Sequence, residues 1–296
     1  MSTPDTTKRP TGLALYSRAA EQSSAKVIDV YSTSFGWAAK LLSKPVKRHV
    51  TNIYALVRVA DEIVDGAAAE AVAAGGRLDP GMELDALEAE TYRAIETGFS
   101  TNLVVHAFAL TARETGFGPQ IIKPFFSSMR MDLTDKEHDA ESFARYVYGS
   151  AEVVGLMCLA AFIKCGGSQF DQPQKLELAR GAQALGAAFQ KVNFLRDLAA
   201  DFKALGRSYF PEVRVDNFDA GTRDRLVADI RADLTVSAAI VPMLPRSCRV
   251  AVAAAQGLFE ELNERIARTP AEELIEARIS VPNWRKLGII AKAFFG

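Results

Sequence analysis

The feature that most restricts the fold of this chain is the near absence of strand-like alternation between apolar and polar residues. Ala, Leu, Glu, Lys and Arg, which favour helices, dominate the segments between its glycines and prolines. We expect shorter helices near the C-terminus, and longer ones over residues 46–65, 82–97, 101–115, 119–131, 139–166 and 173 to about 205. The pattern predicts an all-α helical bundle in a single domain.

The two ends of the chain depart from this pattern. The N-terminal "MSTPDTTKRPTG" is polar and lacks the apolar core of a signal peptide. We therefore expect a cytoplasmic protein with a disordered or loosely packed arm over residues 1–22 and a helical domain over 23–296. The C-terminal "NWRKLGIIAKAFFG" mixes aromatic and basic residues. It is expected either to pack on the core or to make peripheral contact with the inner face of a membrane.

The overall composition is that of a soluble globular protein, with 49% hydrophobic residues, 24% charged residues and a net charge of −1. Because there is no basic excess, nucleic acid is not expected as a partner. The longest apolar run, Val153–Ile163, is shorter than the roughly 18 residues of a spanning helix and predicts a buried helix. Three cysteines without a CxxC pair indicate reduced thiols. The oligomeric state is left open.

Two segments, "RVADEIVDG" and "NFLRDLAADF", each carry a pair of aspartates four residues apart. The pairs are Asp61 with Asp65 and Asp197 with Asp201, and this spacing places each pair on one helix face. Like charges repel at that spacing, so each pair alone is compatible with a solvated acidic face.

The residues around both pairs indicate a more specific use. Large apolar residues flank each pair, and Arg58 and Arg196 stand just upstream of Asp61 and Asp197. Gln190 and Asn193 precede Asp197 by seven and four residues, on roughly the same helix face.

These residue types suit a diphosphate held by Mg²⁺, with Mn²⁺ as a substitute, because hard cations prefer oxygen ligands and share carboxylates with phosphates. Asp61, Asp65, Asp197 and Asp201 are the candidate metal ligands. Arg58, Arg196 and Arg207 are candidates to contact phosphate oxygens. A di-iron bundle is disfavoured, because none of the three histidines stands three residues after a glutamate.

The chain resembles the squalene/phytoene synthase family, and most closely its bacterial phytoene synthases, from about Val27 to about Leu287. The resemblance rests on the order and spacing of "YSTSF" (31–35), "IYALVRVADEIVD" (53–65), "MRMD" (129–132), "YVYGSAEVVGLM" (146–157), "LGAAFQKVNFLRDLAADF" (185–202) and "RSYFP" (207–211).

This resemblance implies an isoprenoid synthase fold with a central apolar cavity and a role for each matching position. The four aspartates match magnesium ligands, and together with Arg58, Tyr54 and Tyr146 they form the expected catalytic set. The positions that match substrate contacts are Ser32, Ser34, Arg58, Gln190, Asn193, Arg196, Arg207, Tyr209 and Arg278. Three positions depart from the family pattern: Tyr31, Glu152 and Phe259. Glu152 is expected either as a surface or salt-bridged residue or in the cavity wall.

The reaction that the resemblance implies is the head-to-head condensation of two geranylgeranyl diphosphates to phytoene, without NADPH, as the first committed step of carotenoid synthesis. Small residues at Ala151, Gly155 and Ala160 favour the longer substrate. One alternative is a synthase of dehydrosqualene, squalene or presqualene diphosphate acting on farnesyl diphosphate. The other is a non-catalytic assembly factor, which would be expected to have lost the aspartate pairs.

Overall fold

The structure is a computed structural model that describes residues 11–32, 34–135, 137–205, 209–211, 213–276 and 278–295. The helices are α1 (Gly12–Tyr31), α2 (Ser34–Ala39), α3 (Lys44–Val64), α4 (Ala67–Ala73), α5 (Pro80–Thr97), α6 (Leu103–Thr115), α7 (Pro119–Thr134), α8 (Ala140–Val147), α9 (Val153–Gly166), α10 (Gln172–Leu205), α11 (Ala220–Ile240), α12 (Arg246–Arg268), α13 (Ala271–Leu274) and α14 (Asn283–Phe295). Over these residues the structure contains no strand, which confirms the all-α prediction.

The ends of the helices follow local sequence signals. Asp79, Asn102 and Asp139 cap α5, α6 and α8, because their side chains accept hydrogen bonds from backbone N–H groups of the first turn. Gly98 and Gly116 end α5 and α6 in the left-handed conformation, which glycine adopts without strain. The segment between α3 and α5 contains the short exposed helix α4.

The N-terminal boundary differs from the expected one at residue 22, because α1 already begins at Gly12. The hydroxyl of Tyr16 donates to the carbonyl oxygen of Ser100 at 2.9 Å, and Ala20 is fully buried. Ser17 Oγ lies 3.0 Å from His106 Nε2 on α6. These long-range contacts order α1, and a polar stretch of sequence does not reveal them.

The segment expected as one long helix over 139–166 is interrupted by a π-helical turn over Tyr148–Glu152, between α8 and α9. The turn lies where the chain passes very close to α7, since a Cβ atom on Gly149 would lie 2.2 Å from the carbonyl oxygen of Pro124. Turns of this kind often occur beside functional sites.

The stretch from Ala140 to Gly166 is long and apolar enough to cross a membrane, the one such segment in the described ranges. Val153, Met157 and Ala161 are nevertheless buried against neighbouring helices, as predicted for a core helix. Less than half of the most apolar part is buried, because its other side faces an internal cavity.

Two glycines let α10 pack directly on α9 and on the π-helical turn. A Cβ atom on Gly155 would lie 2.4 Å from the carbonyl oxygen of Ala182, and one on Gly186 would lie 2.5 Å from that of Ala151. Side chains larger than hydrogen do not fit at these two crossings. The helices therefore form a thin, closely packed wall of the cavity.

Candidate active site

A cavity of about 390 Å³ runs between α3, α7, α9, α10 and α12. Its lining is mainly apolar, and the polar groups are concentrated on α3 and α10. Along α3 the lining changes from Val50 to Arg58 and Asp61. Along α10 it changes from Ala182 to Asn193. Both helices therefore run from the apolar end of the cavity towards a shared polar end. This end, with Arg58 and Asp61 on α3 and Asn193 on α10, is here called the polar mouth.

The first aspartate pair lies at this mouth beside a well-held arginine. Arg58 Nη1 donates to Asp61 Oδ2 at 2.6 Å, and Nη2 contacts the carboxylate of Glu62. The guanidinium carbon lies 4.6 Å from the ring centroid of Tyr31, in cation–π geometry. Burial lowers the pKa of Arg58, but Asp61 and Glu62 outweigh it and raise the pKa overall. Arg58 thus stays charged at the cavity wall.

The second aspartate pair follows the lining of α10 by one turn, because Asp197 comes four residues after Asn193. Asp197 accepts hydrogen bonds from Arg196, whose Nη2 lies 2.5 Å from Oδ2. Arg278, from the segment before α14, reaches the same carboxylate, with 2.7 Å between Nε and Oδ1. Three charged groups from two parts of the chain thus meet there.

Two tyrosines line the same part of the cavity. Burial raises the pKa of Tyr54, whose hydroxyl interacts with the side chain of Ser32. The hydroxyl of Tyr146 donates to both oxygens of Asp132 at 2.9 Å. Burial, and then the charge of Asp132, raises the pKa of Tyr146 well above its usual range. Both phenols therefore remain protonated at neutral pH.

Asp132 and His138 are buried residues that the sequence analysis gave no role. Asp132 fixes Tyr146, and the ring of His138 lies 5.1 Å from that of Tyr146. Tyr209 does not line the cavity but stacks on Phe194, with ring centroids 4.0 Å apart. The position of Asp132 inside "MRMD" was the available signal, although its partner is 14 residues away.

The structure brings together part of the predicted site. The predicted residues that line the cavity are Tyr54, Arg58, Asp61, Tyr146, Gln190 and Asn193. The predicted residues that lie outside the lining are Ser32, Asp65, Arg196, Asp197, Tyr209 and Arg278. The side chains of Ser34 and Asp201, and all of Arg207, lie outside the described residues.

A family model described as Squalene/phytoene synthase matches residues 28–285. The chain belongs to the squalene/phytoene synthase family. It is therefore an enzyme of the prenyltransferase type, which transfers prenyl (alkyl) groups.

Two curated relatives and one solved structure agree with this family assignment. A 15-cis-phytoene synthase from a Paracoccus strain is 28% identical over 90% of this chain and 88% of its own length. A phytoene synthase from Mycobacterium tuberculosis is 25% identical over 88% of this chain and 85% of its own length. The solved structure, of a dehydrosqualene synthase in complex with a ligand, superposes with a TM-score of 0.77. It is 20% identical and covers 95% of this chain and 97% of its own. This likeness confirms the isoprenoid synthase type of fold.

The polar mouth fits a hard cation in its chemistry. Asp61, Asp65 and Asp197 supply oxygen donors alone, and guanidinium groups now neutralise Asp61 and Asp197. Among the described residues, no three His, Cys, Asp or Glu side chains lie close enough together to bind one metal ion. The fourth predicted ligand, Asp201, is not among the described side chains.

The structure shows the contacts of Phe259, Tyr31 and Glu152, the three positions that depart from the family pattern. Phe259 lines the cavity and stacks on Phe189, with ring centroids 3.6 Å apart. Tyr31 supports Arg58. Glu152 is half-buried outside the cavity lining and accepts a hydrogen bond from Gln183 at 3.0 Å, so it does not form part of the cavity wall.

Proposed function

We propose that the chain is a phytoene synthase, which joins two geranylgeranyl diphosphates head to head through a cyclopropylcarbinyl diphosphate. The observation that carries this proposal is the cavity, whose apolar body ends in a mouth with carboxylates and arginines from α3 and α10. A long hydrocarbon chain with a diphosphate head has the matching distribution of polarity.

Asp61, Asp65, Asp197 and Asp201 would hold Mg²⁺, or Mn²⁺ in its place. Bound Mg²⁺ supplies Lewis-acid assistance and charge neutralisation for a leaving diphosphate. Arg58, Arg196 and Arg278 are close enough to these carboxylates to contact the same diphosphate oxygens, in the planar geometry that guanidinium groups favour. Gln190 and Asn193 line the cavity and would orient the head group from its wall.

The reaction proceeds in two ionisations. The C–O bond of one allylic diphosphate breaks, and the double bond of the second substrate forms a C–C bond to the cation. Loss of one proton closes the cyclopropane ring. The second diphosphate then leaves, the carbocation rearranges, and a second proton is lost to give a conjugated triene. Two diphosphates and two protons are released, so no reductant is required.

The residues of the chain protect the cations formed in these steps. The apolar lining excludes water, which would otherwise capture a cation. Tyr54 and Tyr146 present aromatic rings at the cavity wall, where ring faces stabilise positive charge. Because both phenols stay protonated, neither serves as an anionic nucleophile.

Small side chains in the cavity lining favour the C20 substrate. Ala151 and Gly155 line the cavity as expected, whereas Ala160 packs against the core cluster around α9 instead. Ala38, Ala39, Ala251 and Ala255 add further small residues to the lining. Less filled volume leaves more room for a long hydrocarbon chain.

The proposal is tested by incubating the purified protein with Mg²⁺ and either geranylgeranyl or farnesyl diphosphate, without NADPH. We expect a C40 triene from the C20 substrate. A C30 product alone would instead assign dehydrosqualene synthesis, the function named for the superposed structure. Accumulation of a cyclopropyl C30 diphosphate would assign presqualene diphosphate synthesis. A C30 product formed only when NADPH is added would assign squalene synthesis.

The non-catalytic alternative is tested on the aspartate pairs, both of which the chain retains. Asp61→Ala and Asp197→Ala should each lower turnover by at least about a hundredfold, the usual scale for a group that stabilises transition-state charge. Unchanged cellular phenotypes for both variants would favour an assembly role.

A further inference from the structure

α14 presents an apolar stripe to solvent, here called the outer stripe. Trp284, Leu287 and Phe294 are 67%, 57% and 58% exposed. They recur at helical spacing together with exposed Gly288 and Ala291, so all five share one face. Hydrophobic residues exposed singly are common, but a contiguous stripe of this kind marks a contact surface.

The opposite face of α14 already holds the helix on the protein. Ile289, Ile290 and Ala293 are half-buried, and α14 packs on α12. Ile289 Cγ2 comes so close to α12 that a Cβ atom on Gly257 would lie 3.0 Å from it. The outer stripe therefore cannot turn inward without giving up this packing.

The charged residues of α14 itself are all of one sign. α14 contains Arg285, Lys286 and Lys292 and no acidic residue. Arg285 lies 4.9 Å from the ring centroid of Trp284 and 3.7 Å from Glu261 of α12. Within the described part of the chain, neither lysine forms an ion pair. Arg285 and Lys292 flank the outer stripe at helical spacing, whereas Lys286 lies on the face of Ile289 and Ala293. The helix thus combines an aromatic and aliphatic stripe with two cations along one border.

We propose that the outer stripe of α14 docks the enzyme on an anionic lipid surface. Trp284 and Phe294 lie near the two ends of the helix, where amphipathic rings can enter the headgroup boundary. Arg285 and Lys292, which flank the outer stripe, attract anionic headgroups. A second copy of the chain fits less well, because a two-fold contact would place the same cationic patch on both sides.

The position of α14 suits this role. α12 lines the cavity through Ala251, Ala255 and Phe259 and carries α14 on another face. Docking therefore places the cavity one helix away from the lipid surface. The proposal does not depend on which prenyl diphosphate the enzyme uses, so its failure would leave the proposed function standing.

The test is co-sedimentation of the full chain with vesicles of phosphatidylcholine, with and without phosphatidylglycerol. We expect binding that requires phosphatidylglycerol and weakens with salt. Leu287→Glu combined with Phe294→Glu should weaken binding by at least about tenfold. The matched control is Leu176→Glu on α10, because Leu176 is 56% exposed. It should bind as the wild type does.

A second readout follows Trp284 directly. In a Trp37→Phe background Trp284 is the one remaining tryptophan. Its emission should shift to the blue on addition of anionic vesicles. No shift, or equal binding by the double variant, would overturn the proposal. If the double variant instead turns a dimer into a monomer without vesicles, the outer stripe is an interface between copies, which also overturns it.

Discussion

At the scale of single residues, the pairing of Tyr146 with Asp132 joins catalysis to stability. The ring of Tyr146 lines the cavity, while its hydroxyl donates a hydrogen bond shared between the two oxygens of the buried Asp132. In the proposed reaction, a group placed in this way would hold the aromatic wall fixed beside the carbocations. The role of the ring and the role of the hydroxyl are therefore separable.

Tyr146→Phe keeps the ring and removes the hydrogen bond that the hydroxyl shares between the two oxygens of Asp132. We expect it to lower the free energy of unfolding by about 1–3 kcal/mol, since a hydrogen bond to a buried carboxylate is lost. Urea titration measures the loss. Tyr148→Phe, two residues along and only half-buried, is the matched control and should lose less. Equal losses for the two variants would contradict this account.

Glu152 predicts a pH dependence of stability. Burial raises its pKa above the usual 4.5 in the folded protein, although the hydrogen bond from Gln183 opposes this shift. The folded state then binds more protons than the unfolded state above pH 4.5, so ionisation of Glu152 costs stability as pH rises.

Glu152→Gln should accordingly be more stable than the wild type at pH 7, by up to about 1 kcal/mol. The gain should disappear at a pH well below 4.5, where Glu152 is protonated in both states. Thermal unfolding at the two pH values measures it. A gain that is the same at both would show that the hydrogen bond, and not the charge, is responsible.

At the scale of helices, the close crossing of α10 with α9 and with the π-helical turn sets the cavity wall. Gly186→Ala introduces a Cβ atom 2.5 Å from the carbonyl oxygen of Ala151. We expect this to lower the free energy of unfolding by about 1–3 kcal/mol through overpacking.

The matched control is Gly288→Ala in α14, because a Cβ atom there meets no atom within 4 Å. It should be stabilising by about 0.5–1 kcal/mol, since alanine favours helix. Urea unfolding of both variants gives the comparison. If both variants changed the free energy of unfolding in the same direction, the close contact at Gly186 would be contradicted.

Some features of the helices could be predicted from the sequence and others could not. The helices were predictable because their signals are local: Pro80 opens α5, and Gly98 and Gly116 close α5 and α6. The π-helical turn was not, since it coincides with a tertiary contact between Gly149 and Pro124 that no local sequence signal reveals. The start of α1 was missed for the same reason, because Tyr16 and Ser17 are fixed by partners more than 80 residues away.

Part of the candidate site could likewise be predicted from the sequence, and part of it depends on the tertiary fold. Spacing along α3 and α10 predicted the lining residues Arg58, Asp61 and Asn193, because helical periodicity is a property of the sequence. The bond between Arg278 and Asp197 spans 81 residues. Only the assembled fold shows that this arginine reaches the carboxylate.

At the scale of the whole molecule, the mouth depends on two distant parts of the chain. Addition of Mg²⁺ with inorganic diphosphate should raise the unfolding temperature, because ligands that bind the folded state stabilise it. Asp61→Asn and Asp197→Asn should each abolish the rise, since each removes one half of the site. Asp29→Asn, at an exposed position on α1, is the matched control and should keep it. A full rise in either site variant would show that the two halves do not act together.

The direction of α3 has an electrostatic consequence. Asp65 caps the C-terminus of α3, and Asp61 lies in its last turn. Aligned peptide dipoles give a helix a partial negative charge at this end. Many phosphate sites use the opposite end of a helix, where N–H groups face the anion. Here the backbone repels a free diphosphate and attracts its counter-ions. The fold thus favours a diphosphate head group that enters the site together with its cations.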